Sequence, residues 1–409
     1  MNFFLKKNLY KFIIAFSTCL LFTGFYFNED GTGGGARGDF EVTYGFILAL
    51  QDNILSDPKN WTLVHTPLHF IILSFVTRII TDTYLLRLIF CVFSLSIPFL
   101  FYSTILLQNL NNILRNNIII ISSVIFFIPS FRYTSIWAND LITSLFFFIL
   151  SIYYFKKWEI NKKDYLDKNS FLQILFLVLA TYTRQYFAVF FIYFLFRYFQ
   201  YFTFKSFTKL FIICVISSIP VFYYTYLFPE LLTGQLITPK AINYFLLGNL
   251  SIMSITIFPI ILINMIYGKI EFKKTILPIS VSFFTILILS LNFEPVIWRG
   301  GGVNFMISQK LFSNHIYFYF TSFITLCSFI YIFIEKKENF IILIILTLMF
   351  FSMQVYQRYY EPMFFIIFFT LIKTNLIDIF LKKFSASLYL LLYFVVYYIL
   401  TMSDFIYKI

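Results

Sequence analysis

The sequence predicts an all-α fold: a polytopic bundle of transmembrane helices, with a surface or re-entrant helix after the first outer loop. Three observations predict it. The 409-residue chain is 60% hydrophobic, with a mean hydropathy of +0.83. Charged residues make up 12% of it, about half the roughly 25% of soluble domains. Apolar runs of about 18 residues or more recur along its length, each able to cross ~30 Å of hydrocarbon. No stretch reads as a water-soluble domain.

The rest of the composition narrows the function classes. The 60 Phe and 30 Tyr accompany much Ile, Asn and Lys and little Gly, Pro and Ala. That is the composition of an AT-rich genome and carries no functional meaning. A net charge of +12 would suggest nucleic acid for a soluble protein. Here it reflects lysines in loops, so membrane lipids and not nucleic acid are the expected partners. The four cysteines (Cys19, Cys91, Cys214, Cys327) lie inside apolar runs. They form neither a disulfide framework nor a CxxC metal site.

Candidate spans cover 9–27, 84–107, 117–133, 139–155, 170–183, 186–200, 208–227, 244–266, 275–292, 316–334, 338–355, 362–380 and 386–402, about thirteen in all. Residues 1–27 have a basic start and an apolar stretch but no A-x-A-like cleavage site, so they are expected to be retained as the first span. The apolar stretch 61–80 is left out. Counting it would put the lysine loop 156–168 outside, against the positive-inside rule. Segment 170–200 is too long for one straight span, since 31 residues at 1.5 Å make about 46 Å. Two short helices meeting near Arg184 resolve this. Roughly two thirds of the 31 Lys and Arg then face inside and most acids outside. The N-terminus is expected inside and the C-terminus outside, in a membrane such as the bacterial inner membrane. The chain divides into a module over 1–200, with first outer loop 28–83, and a variable module over 201–409.

Charges near apolar spans are costly and seldom left without a partner or a role. In this topology they gather on the outer face. The first outer loop carries Asp39 and Glu41 in a glycine-rich run, followed by a helical stretch from Val42 to Ile54. Next come Trp61, His65 to Phe70, and Arg87. Trp137 to Asp140 opens the fourth span, and Arg184 breaks segment 170–200. Gln357 to Pro362 holds Arg358 and Tyr359, and Arg299 and Lys310 flank Gly300 to Gly302. A carboxylate there could take the proton of an attacking hydroxyl. Arginines could fork onto a leaving phosphate. Tyr and Trp could lie beside a lipid chain or a sugar ring. Each residue also has a plainer reading. Asp39 and Glu41 suit a solvated loop, Asp140 suits a helix N-terminus, and Arg358 suits an interfacial anchor. His65 and His69 are four apart, but Pro67 intervenes and no third ligand follows, so no metal is expected. The glycine run lacks the Lys-Ser/Thr of a phosphate-binding loop.

The ordered set of motifs resembles the GT-C superfamily of membrane glycosyltransferases, over roughly 9–200 and 340–375. Asp39, with Glu41 close by, matches the acid just after the first span. His65 to Phe70 resembles the "PPL" motif that opens a helix along the outer membrane surface, with Thr66 in place of the first proline. Arg87-Leu88 is similar to the family's Arg-Leu pair. Ser135 to Leu141 approximates the "R-x-x-x-x-D" stretch, with Asp140 as the acid and Arg132 set further back. Tyr182 to Arg184 is similar to Leu-Thr-Lys, and Arg358 to Pro362 to a late Arg-Tyr-x-x-Pro element. The likeness is to the bacterial protein-mannosyltransferase and aminoarabinose-transferase group, with echoes of the dolichyl-phosphate-glucose α-1,2-glucosyltransferase family. It implies an inverting transferase on the outer face, with a polyprenyl-phosphate sugar donor, a lipid-linked glycan, surface polysaccharide or lipid acceptor, and no cofactor. Asp39 would be the general base, with Glu41 its substitute. Asp140 would orient the acceptor or an arginine. Arg184, Arg358 and Arg87 would hold the donor phosphate, with Tyr359, His65 and His69 completing the substrate-binding set. The rival is a lipid-linked sugar flippase or O-antigen-type polymerase. The chain shows no internal repeat of the transporter kind, and its late loop 293–315 is short for a polymerase.

Overall fold

The structure is a computed structural model that describes residues 3–32, 35–54, 66–108, 114–227, 239–291, 293, 302–350 and 356–402. Every regular element among them is a helix. In chain order these begin with α1 (Phe3–Tyr26), α2 (Gly35–Asn53), α3 (Leu68–Thr77), α4 (Thr83–Ser94), α5 (Ser96–Leu106), α6 (Arg115–Ser123), α7 (Pro129–Ile136), α8 (Asp140–Asn161), α9 (Lys168–Thr183), α10 (Phe190–Phe199) and α11 (Phe204–Leu227). They continue with α12 (Pro239–Ile266), α13 (Phe272–Leu291), α14 (Gly302–Phe312), α15 (Ile316–Glu335), α16 (Phe340–Leu348), α17 (Gln357–Tyr360), α18 (Met363–Thr370), α19 (Asp378–Lys382) and α20 (Phe384–Met402).

Among the described residues, eight helices are long and apolar enough to cross a membrane: α1, the continuous α4–α5, α8, α11, α12, α13, α15 and α20. The expected span 117–133 is a bent helix pair, turning by 65° between Phe127 and Pro129. The bend has a local cause. Ile128, the residue before the proline, takes an extended backbone (φ −81°, ψ 114°). Pro129 then opens the next helix, where its missing N–H costs nothing. At 338–355 and 362–380 the structure differs from the spans that the sequence suggests. Their described helices, α16 and α18, have nine and eight residues, too few to cross ~30 Å alone. Segment 170–200 does break: α9 ends at Thr183, Arg184 is extended (φ −145°, ψ 114°), and a short 3-10 turn over Gln185–Val189 leads into α10.

The chain forms two compact units. The first comprises 11–110 and 131–233, the second 1–10, 111–130 and 234–409. In the first, α8 packs along α9 and against α5, and α2 pairs with α3. In the second, α12 packs on α15, which also holds α13 and α14, while α20 lies on α6. Small polar side chains join these helices. Asn304 Nδ2 donates to the Ser251 carbonyl and to Ser254 Oγ, and Ser322 Oγ donates to the Leu247 carbonyl. Such bonds are the usual glue where lipid offers no hydrophobic drive for helix association. Helices α11 and α13 leave Ile216, Phe222, Ile276 and Phe284 exposed, an apolar surface suited to lipid rather than water.

Candidate functional site

In the first unit, a set of buried charges grows from the way α1 ends. Asn28 takes a left-handed conformation (φ 52°), which Asn tolerates better than most residues. The Glu29 N–H then bonds to the Gly24 carbonyl at 2.8 Å and the Asn28 N–H to the Phe25 carbonyl at 3.1 Å, a Schellman closure. The reversal folds the Glu29 side chain back along the last turn of α1. There Arg132, from α7, meets it at two points: Nε to Oε1 at 2.7 Å and Nη2 to Oε2 at 2.5 Å. The side chains are 0% (Arg132) and 8% (Glu29) exposed. Arg132 Nη2 also donates to the Leu20 carbonyl, and Trp137 Nε1 to the Glu29 carbonyl. Gly24 makes the approach possible. A Cβ on it would lie 2.3 Å from Glu29 Oε2 and 2.6 Å from Arg132 Nη2.

Arg87, from α4, is buried beside this pair. Its Nε donates to the Ile136 carbonyl and its Nη2 to Asn28 Oδ1, both at 3.0 Å. Its guanidinium lies 3.6 Å from the centre of the Trp137 ring. Among the described residues no carboxylate pairs with it. Arg87 is therefore a buried cation held by neutral oxygens and an aromatic face, an arrangement that favours an added anion.

The turn from α7 to α8 carries the second pair. Ala138 is left-handed (φ 46°), and the Asn139 side chain caps α8 by accepting the Leu141 N–H. Asp140 then opens the helix, buried, with Arg184 Nη2 bonded to its Oδ1. Arg184 reaches it because the helix breaks at that residue. His69, on the ten-residue α3, bonds through Nδ1 to Thr143 Oγ1 at 3.0 Å. Burial holds its imidazole below the ordinary 6.5, at about 4, although Asp140 pulls the other way.

Asp39 and Glu41 do not lie in a loop. The helix expected from Val42 begins at Gly35, because Thr32 Oγ1 accepts the Ala36 N–H and Asp30 Oδ2 the Arg37 N–H, capping the orphan donors of its first turn. Asp39 is half-buried, and Glu41 is exposed and paired with Arg37 at 2.9 Å. Between them, the buried Phe40 ring faces Trp137 and the Arg87 guanidinium. An apolar cavity of about 290 Å³ opens between α3, α9 and α11, lined by Thr66, Pro67, Tyr182, Pro220 and Tyr224 among others. Thr66 Oγ1 ties its rim to the Thr181 carbonyl.

Of the residues singled out from sequence, the first unit brings Asp140, Arg184 and His69 together in one group and holds Arg87 in another beside the Glu29–Arg132 pair, with Asp39 on the helix whose Phe40 faces the Arg87 guanidinium. Arg358 and Tyr359 belong to the second unit. There the Arg358 guanidinium lies over the Tyr356 and Tyr359 rings and Tyr359 stacks on Phe350. Next to them, buried Glu361 accepts bonds from Ser130, Gln357 and Tyr397. His65, Arg299, Gly300 and Gly301 fall outside the described residues. No group of three metal-ligating side chains occurs among the described residues. Sequence reasoning passed over Glu29 and did not give Arg132 a role. The available signal was an acid directly after a span and an arginine inside one. Comparison with family models, with curated proteins and with solved structures gives no match.

Proposed function

We propose that the chain is a membrane glycosyltransferase of GT-C type. It transfers a sugar from a polyprenyl-phosphate donor to a lipid-linked glycan, surface polysaccharide or lipid acceptor on the outer face of the membrane. The observation that carries the reading is Arg87, a buried guanidinium that no described carboxylate neutralises. It sits beside a helix that bears a half-buried aspartate. An acceptor hydroxyl oxygen bonds to the anomeric carbon as the bond from that carbon to the phosphate oxygen breaks. Asp39 takes the hydroxyl proton, and the phosphate leaves with the bonding pair towards Arg87. The Asp140–Arg184 pair plays a structural part, since a pair this buried is not readily opened. Asp39, half-buried, is preferred to Glu41, which is exposed. The apolar cavity beside Pro67 and Tyr182 suits the prenyl chain.

The test is transfer of tritiated sugar from a polyprenyl-phosphate donor in membranes holding the full chain. Wild type and Glu41→Gln form a labelled glycoside, while Asp39→Asn is retained in the membrane and forms none. Full transfer by Asp39→Asn removes the base assignment. Movement of intact donor across the bilayer without a new glycosidic bond supports a flippase instead.

A further inference from the structure

In the second unit, a cavity of about 330 Å³ lies where three candidate spans end: α12 at Ile266, α13 at its start and α15 at Glu335. The turn through Asn375 and Leu376 closes it. Spans end at the membrane interface, the depth of phospholipid headgroups. The lining combines lysines 269, 274 and 336 with Glu271, Glu335 and Tyr331.

The charges in this lining are unequally committed. Lys274 Nζ holds Glu271 Oε1 at 2.8 Å. The Glu335 carboxylate accepts the Thr374 hydroxyl at 2.5 Å and the Asn375 N–H at 3.1 Å. Lys269 and Lys336 are exposed and make no ion pair among the described residues. Their backbones are fixed by the helix ends. Gly268 is left-handed (φ 62°), so the Lys269 N–H bonds to the Asn264 carbonyl at 2.9 Å. This is the same closure that positions Glu29. The Lys336 N–H bonds to the Ile332 carbonyl. Directly along α13 from the cavity run the exposed side chains of Ile276, Leu277 and Ile288, a surface for acyl chains.

We infer that this cavity binds the phosphate headgroup of an anionic phospholipid, with Lys269 and Lys336 as its cationic contacts and the exposed face of α13 holding the acyl chains. Two unneutralised lysines at the ends of spans are the chemistry that recognises such a headgroup. The apolar strip beside them favours a lipid over a free phosphate ion. The site is independent of the transferase reading.

The experiment is thermal unfolding of the purified full chain in neutral detergent, titrated with phosphatidylglycerol, phosphatidylcholine or inorganic phosphate. Phosphatidylglycerol raises the midpoint and the other two do not. The Lys269→Gln/Lys336→Gln double variant needs on the order of tenfold more phosphatidylglycerol for the same rise. The Lys205→Gln/Lys209→Gln control, two exposed lysines elsewhere, responds like wild type. An unchanged response in the first double variant, or an equal loss in the control, overturns the site. An equal rise with inorganic phosphate alone overturns its assignment to a lipid.

Discussion

Glu29 and Arg132, 103 residues apart in the chain, meet through two parallel hydrogen bonds and exclude water almost completely. The pair joins the end of α1 to α7 and, through the Glu29 carbonyl, to Trp137. Removing one partner leaves a buried charge uncompensated, which costs about 3–5 kcal/mol. Arg132→Met and Glu29→Gln should each lower thermal stability in detergent by an amount of that order. The double variant should lose markedly less than the sum, since neither charge is then stranded. Additive losses would show that the pair is not coupled.

Gly24 is the space into which that pair fits. Gly24→Ala should destabilise the protein by about 1–3 kcal/mol, the usual cost of overpacking a filled site. The added cost of Gly24→Ala should be smaller when measured in a Glu29→Ala background, because the clash with the carboxylate is then gone. The comparison is read from unfolding midpoints in the two backgrounds. A Gly24→Ala protein as stable as wild type would mean that the closure at Asn28 is looser than described.

His69 gives a pH dependence with a defined sign. Its folded value, about 4, lies below its unfolded 6.5, so the unfolded chain binds the proton first. Above pH 6.5 both states are neutral and His69 contributes no pH dependence. Between 6.5 and 4, stability falls as pH drops, by at most about 1.4 kcal/mol per unit. Unfolding midpoints across this range should show less slope in His69→Gln than in wild type. An identical slope would assign the pH response to other groups.

Arg87 is held by the Trp137 face as well as by two oxygens. Lysine keeps the charge but neither the planar fork nor the stacking. In the transfer assay, Arg87→Lys should raise the donor KM by about tenfold or more, the loss of one charge-assisted contact. Unfolding monitored in parallel separates this from a folding defect. An unchanged KM would take Arg87 out of the donor site.

The helical fold and the helix break at Arg184 were legible because apolar periodicity and a costly arginine are local signals. Asp140 at a helix start was legible for the same reason. The Asp140–Arg184 partnership was not, since it depends on how α8 and α9 pack. The glycine run suggested a loop, yet Asp30 and Thr32 cap a helix that begins within it. Side-chain capping outweighed glycine's poor helix propensity. Hydropathy alone made spans of 338–355 and 362–380, whose described helices stop after nine and eight residues. Glu29 lay in plain view directly after the first span, but only the folded turn at Asn28 shows that it turns back onto Arg132.

The proposed chemistry requires α2 and the lysine loop to lie on opposite sides of the membrane. With Cys19, Cys91, Cys214 and Cys327 replaced, single cysteines at the exposed positions Glu41 and Lys163 can be tested in intact cells with an impermeant thiol reagent. The account predicts labelling at position 41 and protection at 163 until the membrane is opened. Labelling at 163 with protection at 41 would invert the protein, put Asp39 and Arg87 on the cytoplasmic side, and contradict transfer on the outer face.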